Sequence, residues 1–156
     1  MQFISYIVSS EVAGLPSFPM LPDLIFSQLR QNEKMLWKIF EGISDSELDF
    51  RPLPTALSLR EHLGHLCAGC EALMAIRQGR EYDWDNIASH GSTVLELLSK
   101  FRQLRLEALP AGESINLEAA SLLSDYLILH EAYHIGQLAL SRKALDPSWD
   151  SLKLYA

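Results

Sequence analysis

The chain has 156 residues, 48% of them apolar and 21% charged, with a net charge of −7. That length predicts one domain with a real core, and an acidic chain with no cation run longer than Arg142-Lys143 lacks the clustered cations of a nucleic-acid footprint. No apolar run approaches the roughly 20 residues that span a bilayer, so no membrane partner is expected.

Residues 1–21 read as an irregular N-terminal arm. The arm is mildly apolar but has no basic n-region, the first cation being Arg30. It therefore reads poorly as a signal peptide, and Met20 is a possible alternative start. The expectation is an intracellular, cytoplasmic protein.

The apolar periodicity after the arm is helical throughout. The first helix is predicted from about Pro22 to Gly42, with proline near the first position and glycine as the stop. A connector with Pro52 and Pro54 follows, in which Ser44 and Glu47 have capping-box spacing. Ser58 and Glu61 have the same spacing and start the second helix, which ends near Gly79. This helix contains His62, His65 and the pair Cys67/Cys70. The cysteines lie on its apolar side, without a βαβ context or a second Cys pair, and read as small buried hydrophobes.

The polar loop "REYDWDNIASHG" comes next, and its His90 reads as a solvated loop residue. A third helix covers about Ser92 to Leu109 and stops at Pro110. The fourth runs from about Leu117 to Ala144, and residues 146–156 form a short tail. Four amphipathic helices within 22–145 predict an all-α, four-helix bundle.

The fourth helix carries His130-Glu131-Ala132-Tyr133-His134, an H-E-x-x-H pattern. At 100° per residue the two histidines lie about 40° apart, in an arc shared with Leu123, Tyr126, Leu127, Gln137 and Ser141. Residues four apart on a helix can turn two imidazoles onto one metal ion. Two ligands are too few, and the third decides the class. A metzincin would need glycine and histidine where Gln137 and Leu140 stand, and no Glu or His follows His134 at all, so the protease reading fails. The third ligand must come from upstream, and the second helix offers His62 and His65. The competing reading is that these are packed histidines satisfied by hydrogen bonds. Two in one stripe, with partners on a second helix, are costlier to explain by packing alone. On helical phase, His62 lies nearer than His65 to the apolar arc set by Leu59, Leu63, Leu66, Cys70 and Met74.

The segments "SLREHLGHL" (Ser58 to Leu66) and "HEAYHIGQL" (His130 to Leu138) together resemble the DinB/YfiT-like metalloenzyme family, which is unrelated to the DNA polymerase of similar name. The resemblance also extends to helix count, order and length. It implies a four-helix bundle of up-down-down-up topology and a divalent metal, zinc or nickel, held by three histidines. Carried over by position, the metal ligands are His65, His130 and His134. His62 falls where the family usually has an aliphatic residue, which leaves it as a fourth ligand or a group that orients one. Glu131 is a candidate catalytic base or orienting group, Gln137 a candidate hydrogen-bond partner of ligand or substrate, and Tyr133 an interhelical packing residue.

The resemblance further implies a metal-dependent enzyme, a thiol-dependent S-transferase or a related transferase or hydrolase, with a low-molecular-weight thiol as cosubstrate and a small-molecule substrate. The alternative is a non-enzymatic metal-binding, stress-response bundle. The apolar surface of the fourth helix, with Ile128 and Ile135 about 120–140° from the histidines, leads to the expectation of a homodimer packed through that helix.

Overall fold

The computed structural model describes residues 21–110 and 115–155; the arm expected over 1–21 lies outside them except for Leu21, which opens the first helix. Among the described residues the only regular structure is helical. Helix α1 spans Leu21–Phe40 and is stopped by Gly42, whose φ of 77° suits a residue without Cβ. A 3₁₀ turn, Asp45–Glu47, follows, with the Ser44 N–H donating to the Glu47 carboxylate at 2.8 Å. Helix α2 spans Leu59–Arg77. Its start is the predicted capping box: the Glu61 N–H donates to Ser58 Oγ at 3.2 Å and the Ser58 N–H to Glu61 at 2.7 Å. Helix α3 spans Val94–Ala108, and here Thr93 and Glu96 form the box.

The last helix, α4, begins after Asn116, whose side chain accepts from the Ala119 N–H. It has three consecutive parts: Leu117–Leu123 is α, Ser124–Leu129 is π, and His130–Leu145 is α again. A π turn holds an extra residue in the helix and disturbs the carbonyl ladder. The Ile128 carbonyl in this stretch accepts from Asn32 Nδ2 of α1 at 3.0 Å.

Side-chain bonds between helix ends fix the directions. Arg60, in the first turn of α2, donates to the Gly91 and Ser92 carbonyls just before α3, and Arg77 at the other end donates to the Ala108 carbonyl. Helices α2 and α3 are therefore parallel. Asn32 meets Glu131, and Arg142 reaches the Glu41 carbonyl, so α1 and α4 are parallel too. Across the bundle, His62 faces His134 while Gly69 faces His130, so α2 and α4 run antiparallel. The order is up-down-down-up. Parallel neighbours need a crossover; residues 78–93 supply one by doubling back along α2, with Tyr82 and His90 bonded to Glu71 and the Trp84 ring tilted against His65 at 5.5 Å between centroids.

The core includes Leu29, Leu36 and Ile39 of α1, Leu59, Leu63, Leu66 and Leu73 of α2, Leu97, Phe101 and Leu104 of α3, and Leu123, Leu127 and Leu138 of α4. Cys67 and Cys70 are free and fully buried, and burial pushes the Cys67 thiol up to about 12 and Cys70 well above its usual value. They behave as the small hydrophobes expected. The residues after 146 do more than trail: Ser151–Tyr155 forms a 3₁₀ turn, Leu154 is buried, and Lys38 of α1 donates to the Lys153 carbonyl. No helix among the described residues is long and apolar enough to cross a membrane.

One sequence expectation about α4 is corrected. The buried side chains of its last part are Glu131, His134, Ile135, Leu138, Ser141 and Arg142. That arc is centred near Leu138, about 80° around the helix from His130. The histidines thus stand at the edge of the buried face rather than in its middle, and Ile135, expected on an outer stripe, is 3% exposed within the single chain. The buried face also takes in Glu131 and Arg142, two charged residues that the apolar pattern does not count. Apolar residues that do face outward on this helix include Leu129, Tyr133 and Leu140, at 60%, 62% and 72% exposure, so Tyr133 is not an interhelical packing residue.

Candidate metal centre

His65 of α2 and His130 and His134 of α4 converge. Each offers a ring nitrogen, and the three nitrogens lie within 4.8 Å of one another. His130 Nε2 and His134 Nε2 are 3.1 Å apart. Two ligands of one ion at roughly 2.0–2.1 Å stand about 3.3 Å apart at a tetrahedral angle and about 2.9 Å apart at a right angle. The α4 pair is already in that range, and a ring nitrogen of His65 lies within 4.8 Å of both. The ring centroids of His65 lie 5.0 Å from His130 and 4.8 Å from His134. The group can hold a metal ion.

The backbone makes room for this cluster. Gly69 lies one turn beyond His65 on α2, and a Cβ there would stand 2.8 Å from His130 Nδ1 and 2.9 Å from its Cε1. The main-chain N–H of His130 donates to the Leu127 carbonyl, while the Tyr126 carbonyl accepts from the His130 ring. The π stretch and Gly69 thus seat one imidazole from two sides, a cradle that suits a ligand better than a packing residue.

Electrostatics keep the rings neutral, the form that binds metal. Burial lowers the pKa of His65, and burial together with His65 lowers that of His130. Burial and the neighbouring imidazoles hold His134 at about 3. His62 is pushed down to about 4, chiefly by burial. Its Nδ1 lies 3.0 Å from His134 Nδ1. One of these nitrogens must carry the hydrogen and the other the lone pair, so the contact couples the tautomers of the two rings.

Glu131 goes elsewhere. It is buried, Arg105 of α3 donates from Nη2 to its Oε2 at 3.0 Å, and Asn32 Nδ2 donates to the same oxygen at 3.2 Å. Arg105 Nε approaches Oε1 to 2.8 Å, close enough for charge pairing but not aligned as a hydrogen bond. Arg105 also contacts Glu33 and the Leu29 carbonyl. Burial pushes the Glu131 carboxyl up to about 7 against the pull of Arg105 and Asn32. Its partners are on α1 and α3, not among the imidazoles. Gln137 sits at the exposed edge, where its Nε2 donates to Tyr133 Oη at 2.8 Å and its side chain also bonds His134.

His90 is a second correction. Instead of being solvated, its side chain is 3% exposed and pairs through Nε2 with Glu71 at 3.1 Å. The glycine-and-serine loop around it suggested solvent, but the crossover folds it onto α2. Gly69 was the feature most open to earlier notice, since a lone glycine inside a helical pattern marks a close approach.

Of the three histidines, His65 also lines a cleft of about 390 Å³ between α2 and the crossover. A larger cavity, lined by Trp37, Phe40, Val94 and Leu98, contains none of the histidines. No curated protein and no solved structure matches the chain. A family model described as the DinB superfamily matches residues 28–138, which run from α1 to α4 and include His62, His65, His130 and His134. With its helical bundle, its histidine cluster and a match over more than half its length, the chain belongs to the DinB superfamily.

Proposed function

We propose that the chain is a metal-dependent enzyme in which His65, His130 and His134 hold a zinc or nickel ion. The observation that carries this reading is the convergence of three neutral imidazoles from two helices, one of which, His65, also lines a cleft. Three histidines leave coordination positions open, as in catalytic rather than structural sites, and imidazole suits zinc and nickel alike. A divalent ion there would lower the pKa of a bound thiol or water at neutral pH. The preferred reaction class is transfer of a low-molecular-weight thiol to a small electrophile, with hydrolysis as the related possibility.

In this reading His62 is not a fourth ligand. Its contact with Nδ1 of His134 leaves His134 Nε2 for the metal, and His62 fixes the ring from behind. Glu131 is assigned to the α1–α3–α4 ion network and not to catalysis, because both its oxygens are engaged there. A cytoplasmic setting remains part of the proposal, as does a homodimer. The dimer contact would have to use Leu129, Tyr133 and Leu140, and light scattering at micromolar concentration tests it.

A second reading, a metal-binding bundle without catalysis, is favoured by one observation. The cations at the cleft are already committed, Arg60 to Asp49 and Arg51 to Glu61, which leaves no obvious anchor for an anionic cosubstrate. Loading with zinc or nickel, metal analysis by mass spectrometry and a screen of thiols against electrophiles separate the readings. Stoichiometric metal with turnover supports the enzyme. Metal without turnover supports the second reading, and no retained metal removes both.

A further inference from the structure

Asn32 interrupts an apolar stripe. On α1 the buried residues Leu29, Leu36, Ile39 and Phe40 recur at helical spacing, and Asn32 stands in the same row at 7% exposure. A leucine there would continue the core, whereas an amide costs stability unless its polar atoms find partners. The Asn32 Nδ2 carries two hydrogens and meets two acceptors. These are the Ile128 carbonyl at 3.0 Å and Glu131 Oε2 at 3.2 Å.

The two acceptors lie on either side of a junction in α4. Ile128 belongs to the π stretch Ser124–Leu129, and Glu131 to the α part that begins at His130. A π turn closes onto the fifth residue instead of the fourth, and it occurs as a single-turn insertion in an α-helix. If this stretch relaxed to α, the parts on its two sides would turn against each other by about 100°, the step of one residue. Leu123 and Leu127 before the junction and Leu138 after it are buried in one core, which opposes a rotation of the whole helix. His130 sits at the junction itself, half-buried, with Gly69 against its ring and the Tyr126 carbonyl bonded to it. Without Asn32, Glu131 keeps its bond from Arg105. The bond to Ile128 is therefore the one that ties α1 to the main chain of the π stretch.

We infer that Asn32 is a positioning residue for His130: by holding the Ile128 carbonyl and Glu131 on one amide, it keeps the π-to-α junction in register and the imidazole on its seat against Gly69. The inference deepens the metal reading above and rests on it for the effect on zinc. The seating of the ring is a property of the metal-free protein and is measured there.

The test compares wild type, Asn32→Leu and Glu131→Leu by NMR without metal, and then by zinc affinity in chelator competition. In wild type, a scalar coupling is expected across the hydrogen bond from Asn32 Nδ2 to the Ile128 carbonyl carbon. A nuclear Overhauser contact is expected between the His130 Cε1 hydrogen and the Gly69 Hα. Asn32→Leu, which suits the apolar stripe, weakens that contact and lowers zinc affinity about tenfold, the value of one hydrogen bond. Glu131→Leu removes the other acceptor and the partner of Arg105 but leaves the Ile128 bond. It loses stability yet keeps the Overhauser contact, with zinc affinity within about twofold of wild type. No coupling in wild type, an unchanged contact in Asn32→Leu, or equal losses in the two variants would each overturn the inference. The last outcome would make Asn32 a member of the ion network only. Wild-type protein that holds no zinc removes the metal reading alone, and the metal-free contacts then decide the role of Asn32. Should Asn32→Leu fail to fold, Asn32→Met, with its more adaptable side chain, takes its place with the same expected results.

Discussion

Gly69 and His130 meet across the α2–α4 interface so closely that even a methyl group on Gly69 would reach the imidazole, at 2.8 Å from Nδ1. The absence of a side chain on one helix sets the position of a ring on the other. Gly69→Ala removes a helix-weakening glycine, worth about 0.5–1 kcal/mol in favour of the helix, yet pushes His130 off its seat. The expected result is a fold of near-native stability with zinc affinity reduced by an order of magnitude or more, read by chelator competition. Unchanged affinity would show that the ring can move without cost to the site.

His134→Ala is expected to abolish stoichiometric zinc binding while helicity by circular dichroism stays near wild type. The core lies in the leucine layers of four helices, so folding does not wait on metal as it does in a zinc finger. Retained stoichiometry would remove His134 from the ligand set, and lost helicity would make it a structural residue.

The pH dependence has a defined sign. Folded His62 and His134 titrate at about 4 and about 3, against 6.5 for the free imidazole. Between those values the unfolded chain binds more protons, so these residues make the metal-free fold lose stability as pH falls below 6.5. Glu131, raised from 4.5 to about 7, acts in the opposite sense over that interval. The comparison that isolates the histidine is therefore wild type against His134→Ala, both metal-free. The melting temperature of the variant is expected to fall less steeply between about pH 6.5 and pH 4. Parallel profiles would contradict the burial-driven shift.

Glu131 and Arg105 form a buried charge pair, and removing one partner of such a pair costs about 3–5 kcal/mol. Glu131→Leu is expected to fall in that range by urea unfolding, with Arg105→Met/Glu131→Leu costing less than the sum of the single changes. Zinc bound per folded molecule should stay the same. A folded Glu131→Leu protein with normal stability and lost turnover would return Glu131 to catalysis.

How much could be read beforehand differs from element to element. The Ser58/Glu61 box fixed the start of α2 because its chemistry is local, and Gly42 and Gly79 marked helix ends for the same reason. His130 and His134 were legible as a pair, since four-residue spacing alone puts them together. The direction in which they point was not. Helix phase was judged from the apolar residues around the histidines, while Glu131 and Arg142 are buried through partners outside their own helix, which no local pattern reveals. The choice between His62 and His65 rested on resemblance. Geometry now gives each a place: His65 stands with the α4 pair, and His62 lies behind His134. The burial of His90 depends on the path of the crossover, and a polar loop sequence does not encode that path.

The up-down-down-up order also has a consequence for time. Parallel neighbours reward the chain only after long segments have closed, and non-local contacts of this kind slow folding relative to a bundle of successive hairpins. The histidine cluster draws on α2 and α4, with His62 and His134 separated by 72 positions. Its imidazoles therefore come together only when the last helix docks, with the crossover and α3 lying between them in the chain. Metal capture during refolding would then report the closing event of the pathway rather than its nucleus.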